Sequence, residues 1–209
     1  MNIKKRVSEI IRCLEEEYSG PVCTLEYAKD YELLFATRLA AQCTDERVNK
    51  ITPDLYGRFP TLESLAAADI GEVEELVRSC GFYRTKARDI VLSANAIIDR
   101  HGGKVPDTME ELLKLPGVGR KTANLILGDV FGQPSYVVDT HCMRLTNRMG
   151  IVKNLKDPVK IEMELRKLIP PEKSTDFCHR MVLHGRAVCS ARRAECDRCC
   201  LAHVCEKNI

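Results

Sequence analysis

The stretch LPGVGRKTANLILG, residues 115–128, constrains the fold of this chain more than any other. Residues 109–115, MEELLKL, have helical spacing, and Pro116 stops them. After Gly119, RKTANLILGDVF reads as a second helix. Two helices joined by Pro-Gly-x-Gly predict a helix–hairpin–helix. Gly117 and Gly119 permit positive φ and close backbone approach, and the second helix turns its free N–H groups outward. Those donors, with the positive end of the helix dipole, suit a phosphate of a nucleic-acid backbone gripped without reading sequence. A tight packing turn accounts for the same glycines, and this stretch alone does not choose between the two. A nucleotide P-loop is excluded, because the G-x-x-x-x-G-K-[ST] spacing is absent and no strand precedes the turn.

The rest of the chain also reads as helix after helix. DYELLFATRLAAQ and, after Thr44, DERVNKITPDLYGRF carry helical spacing. Asp69 with Glu72, and Asp107 with Glu110, have the spacing of helix starts. TKARDIVLSANAIIDRHGG is a helix ending on a glycine pair. Further helices are predicted near 108–114, 119–131, 140–149, 157–169 and 174–184. SYVVDT comes closest to a strand but is only a few residues long. The fold class is all-α. Gly132 and Pro134 make residues 131–140 the best candidate crossing between domains.

The N-terminus has a basic start but neither a long apolar stretch nor a small-residue cleavage site, so it does not read as a signal peptide. Val7, Ile10, Ile11 and Leu14 instead mark one face of an amphipathic helix. No apolar run approaches the roughly 20 residues needed to span a bilayer. The formal net charge is only +2, so a nucleic-acid partner would have to meet a local basic face. Eleven cysteines without a secretion signal argue for a metal site over a disulfide scaffold. Cys13, Cys23, Cys43, Cys80, Cys142, Cys178 and Cys200 are scattered and read mostly as small core residues.

Three features carry chemistry. Lys121 lies in the first turn of the helix after the hairpin, where the dipole disfavours an ammonium by only about 0.3–1 kcal/mol. A solvated lysine is the ordinary reading, and a nucleophile would need desolvation as well. Asp139, in VVDTHCMRLTNRMG, opens a helix along which Arg144 and Arg148 follow. It reads as an N-cap, a role compatible with a catalytic carboxylate. Finally, Cys189, Cys196, Cys199 and Cys205 form a C-x6-C-x2-C-x5-C tail. Structural zinc favours two close pairs and only one C-x2-C is present, whereas an iron–sulfur cluster accepts all-cysteine ligation with varied loops. Spacing leaves both open, and Cys200 complicates the ligand set.

In this order, LPGVGRKTAN, VDTH and the cysteine tail resemble the endonuclease III family of DNA base-excision glycosylases. AAQCTD, GFYRTKA and LHGR add to the likeness, which covers nearly the whole chain. The resemblance implies a two-domain helical fold with DNA bound between the domains. A six-helix barrel at 22–132 would carry the hairpin, and 1–21 with 133–209 would hold a 4Fe–4S cluster. It implies Lys121 as nucleophile, Asp139 as catalytic carboxylate, and Cys189, Cys196, Cys199 and Cys205 as cluster ligands. DNA contacts would come from Gln42, Phe82, Gly117, Gly119, Arg120, His141, Arg144, Arg186, Arg192 and Arg193, with Gln42 and Phe82 filling the gap left by an extruded nucleotide.

The implied enzyme is a bifunctional glycosylase and AP lyase acting on oxidised pyrimidines in double-stranded DNA. It would be a monomer, cytoplasmic and nucleoid-associated. Lys121 favours this branch over a monofunctional glycosylase working through Asp139 and water. A non-catalytic DNA-binding module with a structural metal is the reading from another class. Two residues depart from the family pattern: Ala40 stands where serine is common, and Phe82 is bulkier than the usual leucine. The base preferred opposite the lesion is therefore not set by the resemblance.

Overall fold

The computed structural model describes residues 2–20 and 23–209. Among these residues the regular structure is helical, and the sole β feature is an isolated antiparallel bridge between Cys189 and Ala194. Residues 135–139 of SYVVDT form no strand, and Thr140 already begins a helix. The helices are α1 (Ile3–Glu17), α2 (Asp30–Ala40), α3 (Asp45–Arg58), α4 (Leu62–Ala66), α5 (Ile70–Leu76) and α6 (Tyr83–His101). They continue with α7 (Met109–Leu112), α8 (Arg120–Asp129), α9 (Thr140–Arg148), α10 (Pro158–Leu168) and α11 (Ser174–Ala187). The expected all-α class is what the chain adopts. None of these helices is long and apolar enough to cross a membrane.

The chain divides into two compact units, Cys23–Phe131 and Met1–Val22 with Gly132–Ile209. The expected crossing at 21–22 lies outside the described residues. In the first unit, α2 is buried nearly all round through Tyr31, Leu33, Leu34, Phe35, Ala36 and Leu39. A helix without a polar face belongs at the centre of a core, and α2 packs against α3, α6 and α8. In the second unit, Val7, Ile10, Ile11 and Leu14 of α1 are buried as their spacing predicts, and α11 packs against both α1 and α9.

Capping chemistry sets most helix starts. The Asp69 side chain accepts from the Glu72 N–H, and Thr44 accepts from the Arg47 N–H. Near residue 108 the structure corrects the sequence reading. Thr108, not Asp107, is the N-cap of α7 and accepts from the Glu111 N–H at 3.3 Å. Starting at Met109 turns Leu112 fully into the core, which fixes the register. Helix α6 ends as expected on Gly102, held at φ +59 in the left-handed region.

The crossing of α9 and α11 requires a missing side chain. A Cβ on Gly185 would lie 2.5 Å from His141 Nδ1 and 3.0 Å from Arg144 Nη2. Gly185→Ala is therefore expected to destabilise the protein by about 1–3 kcal/mol, read as a lowered urea midpoint.

Candidate functional site

The glycine turn takes its shape from what lies beneath it. Gly117 has φ +72, and a Cβ there would fall 2.6 Å from both Arg38 Nε and Asp89 Oδ2. Those two side chains form an ion pair, with Arg38 Nε and Nη2 donating to Asp89 Oδ2 at 2.8 and 2.6 Å. Ser93, one turn further along α6, donates its hydroxyl to the Pro116 carbonyl at 2.8 Å. The turn is thus seated on side chains from α2 and α6. Gly119 is extended, with φ −102 and open space around it, and as the N-cap of α8 it brings no capping side chain. Lys121 follows in the exposed first turn, and its amine makes no hydrogen bond or ion pair among the described residues. Arg120 beside it is half-buried.

Two further loops of the same unit converge. Gln42, just past α2, has φ +55, and Phe82, at the N-cap of α6, has φ +59. For side chains of this size the left-handed region costs on the order of 1–3 kcal/mol each and persists only where the surroundings enforce it. Gly81 faces the Gln42 carbonyl, to which an added Cβ would be 3.8 Å. Cys43 and Cys80 bring their sulfurs to 3.6 Å, and burial with Cys43 alongside pushes the Cys80 thiol up to about 11. Lys86, buried, donates Nζ to the Leu39 carbonyl at 2.9 Å, pinning the end of α2; its pKa is lowered, chiefly by desolvation. The outcome is a solvent-facing Phe82 ring, 67% exposed, next to the Gln42 loop.

In the second unit, Asp139 caps α9: Oδ1 accepts from the Cys142 N–H at 2.7 Å. Its half-buried carboxylate leaves Oδ2 clear of hydrogen-bond partners among the described residues. His141 is the second residue of α9 and meets Arg144 Nη2 through Nδ1 at 3.1 Å; burial is the main reason its pKa is lowered. Arg144 Nη2 also donates to the Gly185 and Cys189 carbonyls, so this arginine ties α9 to α11 and the cysteine loop. Arg186, Arg192 and Arg193 are exposed. The Cys142 thiol is fully buried and pushed well above its ordinary range by its hydrogen bond to Cys178, which marks it as an inert core residue.

Cys189, Cys196, Cys199 and Cys205 line one pocket with Met149, His184, Val188 and Leu201. N–H donors face the sulfurs: Arg148 Nη1 to Cys189 at 3.3 Å and the Lys207 N–H to Cys205 at 3.3 Å. His184 is buried and its pKa is held down to about 4 by desolvation, so it is neutral. With the Tyr18 hydroxyl 3.0 Å from Nδ1 and Cys199 Sγ 3.4 Å from Nε2, a Tyr18 O–H donating to Nδ1 leaves Nε2–H to donate to the sulfur. Four thiols converging on one pocket could hold a metal ion or a metal cluster. Cys200 is not part of this pocket wall, and burial pushes its thiol up to about 12.

Sequence reasoning missed Arg38, Asp89, Lys86, Tyr18 and the role of His184. A readable signal existed for three of them: Lys86, Asp89 and His184 sit at buried positions of α6 and α11. Gly117→Ala, strained in both φ and space, is expected to lose at least about 1–2 kcal/mol of stability. Gly119→Ala should lose less than about 1 kcal/mol, the cost of a poorer N-cap. Urea titrations of the two variants side by side check the contrast.

The model of the HhH-GPD superfamily base excision DNA repair proteins matches residues 35–171. The endonuclease III of Synechocystis sp. is 49% identical over 203 residues, 97% of this chain and 92% of that protein. The Escherichia coli endonuclease III is 37% identical over 206 residues, covering 99% of this chain and 97% of that one. Among solved structures, a trapped endonuclease III–DNA covalent intermediate with an estranged adenine superposes with a TM-score of 0.93 at 38% identity, over 99% of this chain and 97% of that one.

Proposed function

The chain belongs to the HhH-GPD superfamily of base excision DNA repair proteins, and from that premise we propose that it is a bifunctional DNA glycosylase and AP lyase acting on oxidised pyrimidines. The observation that carries the reading is Lys121, an amine on the exposed first turn of α8 directly after the seated hairpin. The turn's backbone N–H groups and the dipole of α8 favour a DNA phosphate, which places the strand against that lysine.

A base inside the stack is out of reach, so the damaged nucleotide is extruded, and weak pairing lowers that cost. Phe82 and Gln42 fill the gap. The Phe82 ring is already exposed, so it can stack on the neighbouring bases. Lys121 attacks C1′ as an amine and the base departs, taking up a proton. The C1′–O4′ bond then opens and leaves an iminium on the lysine. The iminium acidifies the 2′ hydrogen; its loss to a base expels the 3′ phosphate and cuts the strand. Covalent catalysis of this kind divides one hard step into easier ones. Asp139 is the catalytic carboxylate, anchored by its cap bond so that its second oxygen can accept a proton or face a developing cation.

Cys189, Cys196, Cys199 and Cys205 would hold a 4Fe–4S cluster, a choice supported by all-cysteine ligands from unequal loops lining one pocket. A bound cluster would tie the four cysteine thiolates together and so brace the loop carrying Arg192 and Arg193 for DNA contact. We place the activity in the cytoplasm, at the nucleoid.

With borohydride and abasic-site DNA, the wild-type protein should give a trapped covalent complex and Lys121→Ala none. Base release without nicking by the wild type would overturn the lyase assignment. Asp139→Asn keeps a good N-cap and is expected to stay folded, while strand cleavage falls by on the order of 100-fold or more. Phe82→Ala should weaken binding to lesion DNA by about 1–3 kcal/mol, measured by fluorescence anisotropy at fixed salt.

A further inference from the structure

A second set of metal-ligating side chains lies outside the four-cysteine pocket. Glu9 and Cys13 stand four residues apart on one face of α1, and His203 comes from the loop between Cys199 and Cys205. His203 Nε2 is 3.2 Å from Glu9 Oε1, and Cys13 Sγ is 3.7 Å from the same oxygen. Their three donor atoms all lie within 4.8 Å of one another, the one such grouping among the described residues. Tetrahedral zinc with bonds of about 2.0–2.3 Å needs donors about 3.3–3.8 Å apart, so small side-chain adjustments would bring all three onto one ion.

We propose that Glu9, Cys13 and His203 form a second metal site, for a single Zn²⁺, which staples the N-terminal helix to the C-terminal loop. A thiolate, an imidazole and a carboxylate match the mixed preference of this borderline ion. Cys13 is 5% exposed, which shields the Zn–S bond, while the exposed His203 leaves an entry path and room for a water as fourth ligand. On binding, the Zn–S bond replaces the S–H bond and the thiol proton leaves to solvent. Glu9 is already a carboxylate, its pKa lowered to about 2 by Arg12 and then His203. Arg12 competes for Glu9, but it also pairs with Glu16 at 2.5 Å and keeps that partner when the ion takes Glu9.

The test uses cluster-loaded protein under anaerobic conditions, equilibrated with ZnCl2, dialysed, and assayed for zinc and iron together. The site predicts one zinc per chain with iron unchanged. Losing a partner outside the ligand shell already lowers metal affinity 10–100-fold, so Cys13→Ser and His203→Ala should each weaken zinc binding at least about tenfold. His203 is exposed, so its variant keeps the test valid if Cys13→Ser folds poorly. Failure to retain zinc, zinc gained only as iron is lost, or equal zinc binding in His203→Ala would each overturn the proposal.

Discussion

The ion pair between Arg38 and Asp89 is the constraint on which the hairpin rests. Its two side chains, largely shielded from water, occupy the volume that any side chain at residue 117 would need. The turn can therefore adopt φ +72 only because residue 117 is glycine, and the close approach holds the turn against α2 and α6. Ser93 fixes the preceding carbonyl of Pro116 from the same side. A mobile turn would have to be ordered by DNA at a cost in affinity; this one presents its N–H groups already in place. Lys121 inherits that order, since it begins the helix that the turn starts.

The same logic recurs at the two strained loops. Gln42 and Phe82 occupy left-handed backbone that neither residue prefers. Lys86 on the Leu39 carbonyl and the Cys43–Cys80 contact supply the surroundings that enforce it. Around the cysteine pocket, Arg148, Arg144 and His184 hold the loop from beneath through hydrogen bonds to its sulfurs and carbonyls. In each place a buried polar group orders a loop that offers other side chains to solvent.

What could be read from the sequence was local. Helical spacing, the Gly102 cap, the Asp69 cap and the Asp139 cap all depend on residues within one turn of each other. The misplaced start of α7 shows the limit of that reading: Asp107 and Thr108 both cap well, and burial of Leu112 decides between them. The ion pair joins residues 51 apart, and Tyr18 meets His184 across 166 residues, so neither follows from spacing. Arg144, for which the resemblance implies a DNA contact, also donates to the carbonyls of Gly185 and Cys189, a contact that spacing does not announce. The cysteine spacing leaves zinc and a cluster both open, and the structure adds that the four side chains, up to 16 residues apart in the chain, line one pocket.

The central claim is that the reactive amine is that of Lys121. Digestion of the borohydride-reduced protein–DNA complex, followed by mass spectrometry of the peptides, locates the adduct directly. The account predicts a single modified peptide carrying the sugar remnant on Lys121. An adduct on any other lysine or on the N-terminal amine would contradict it.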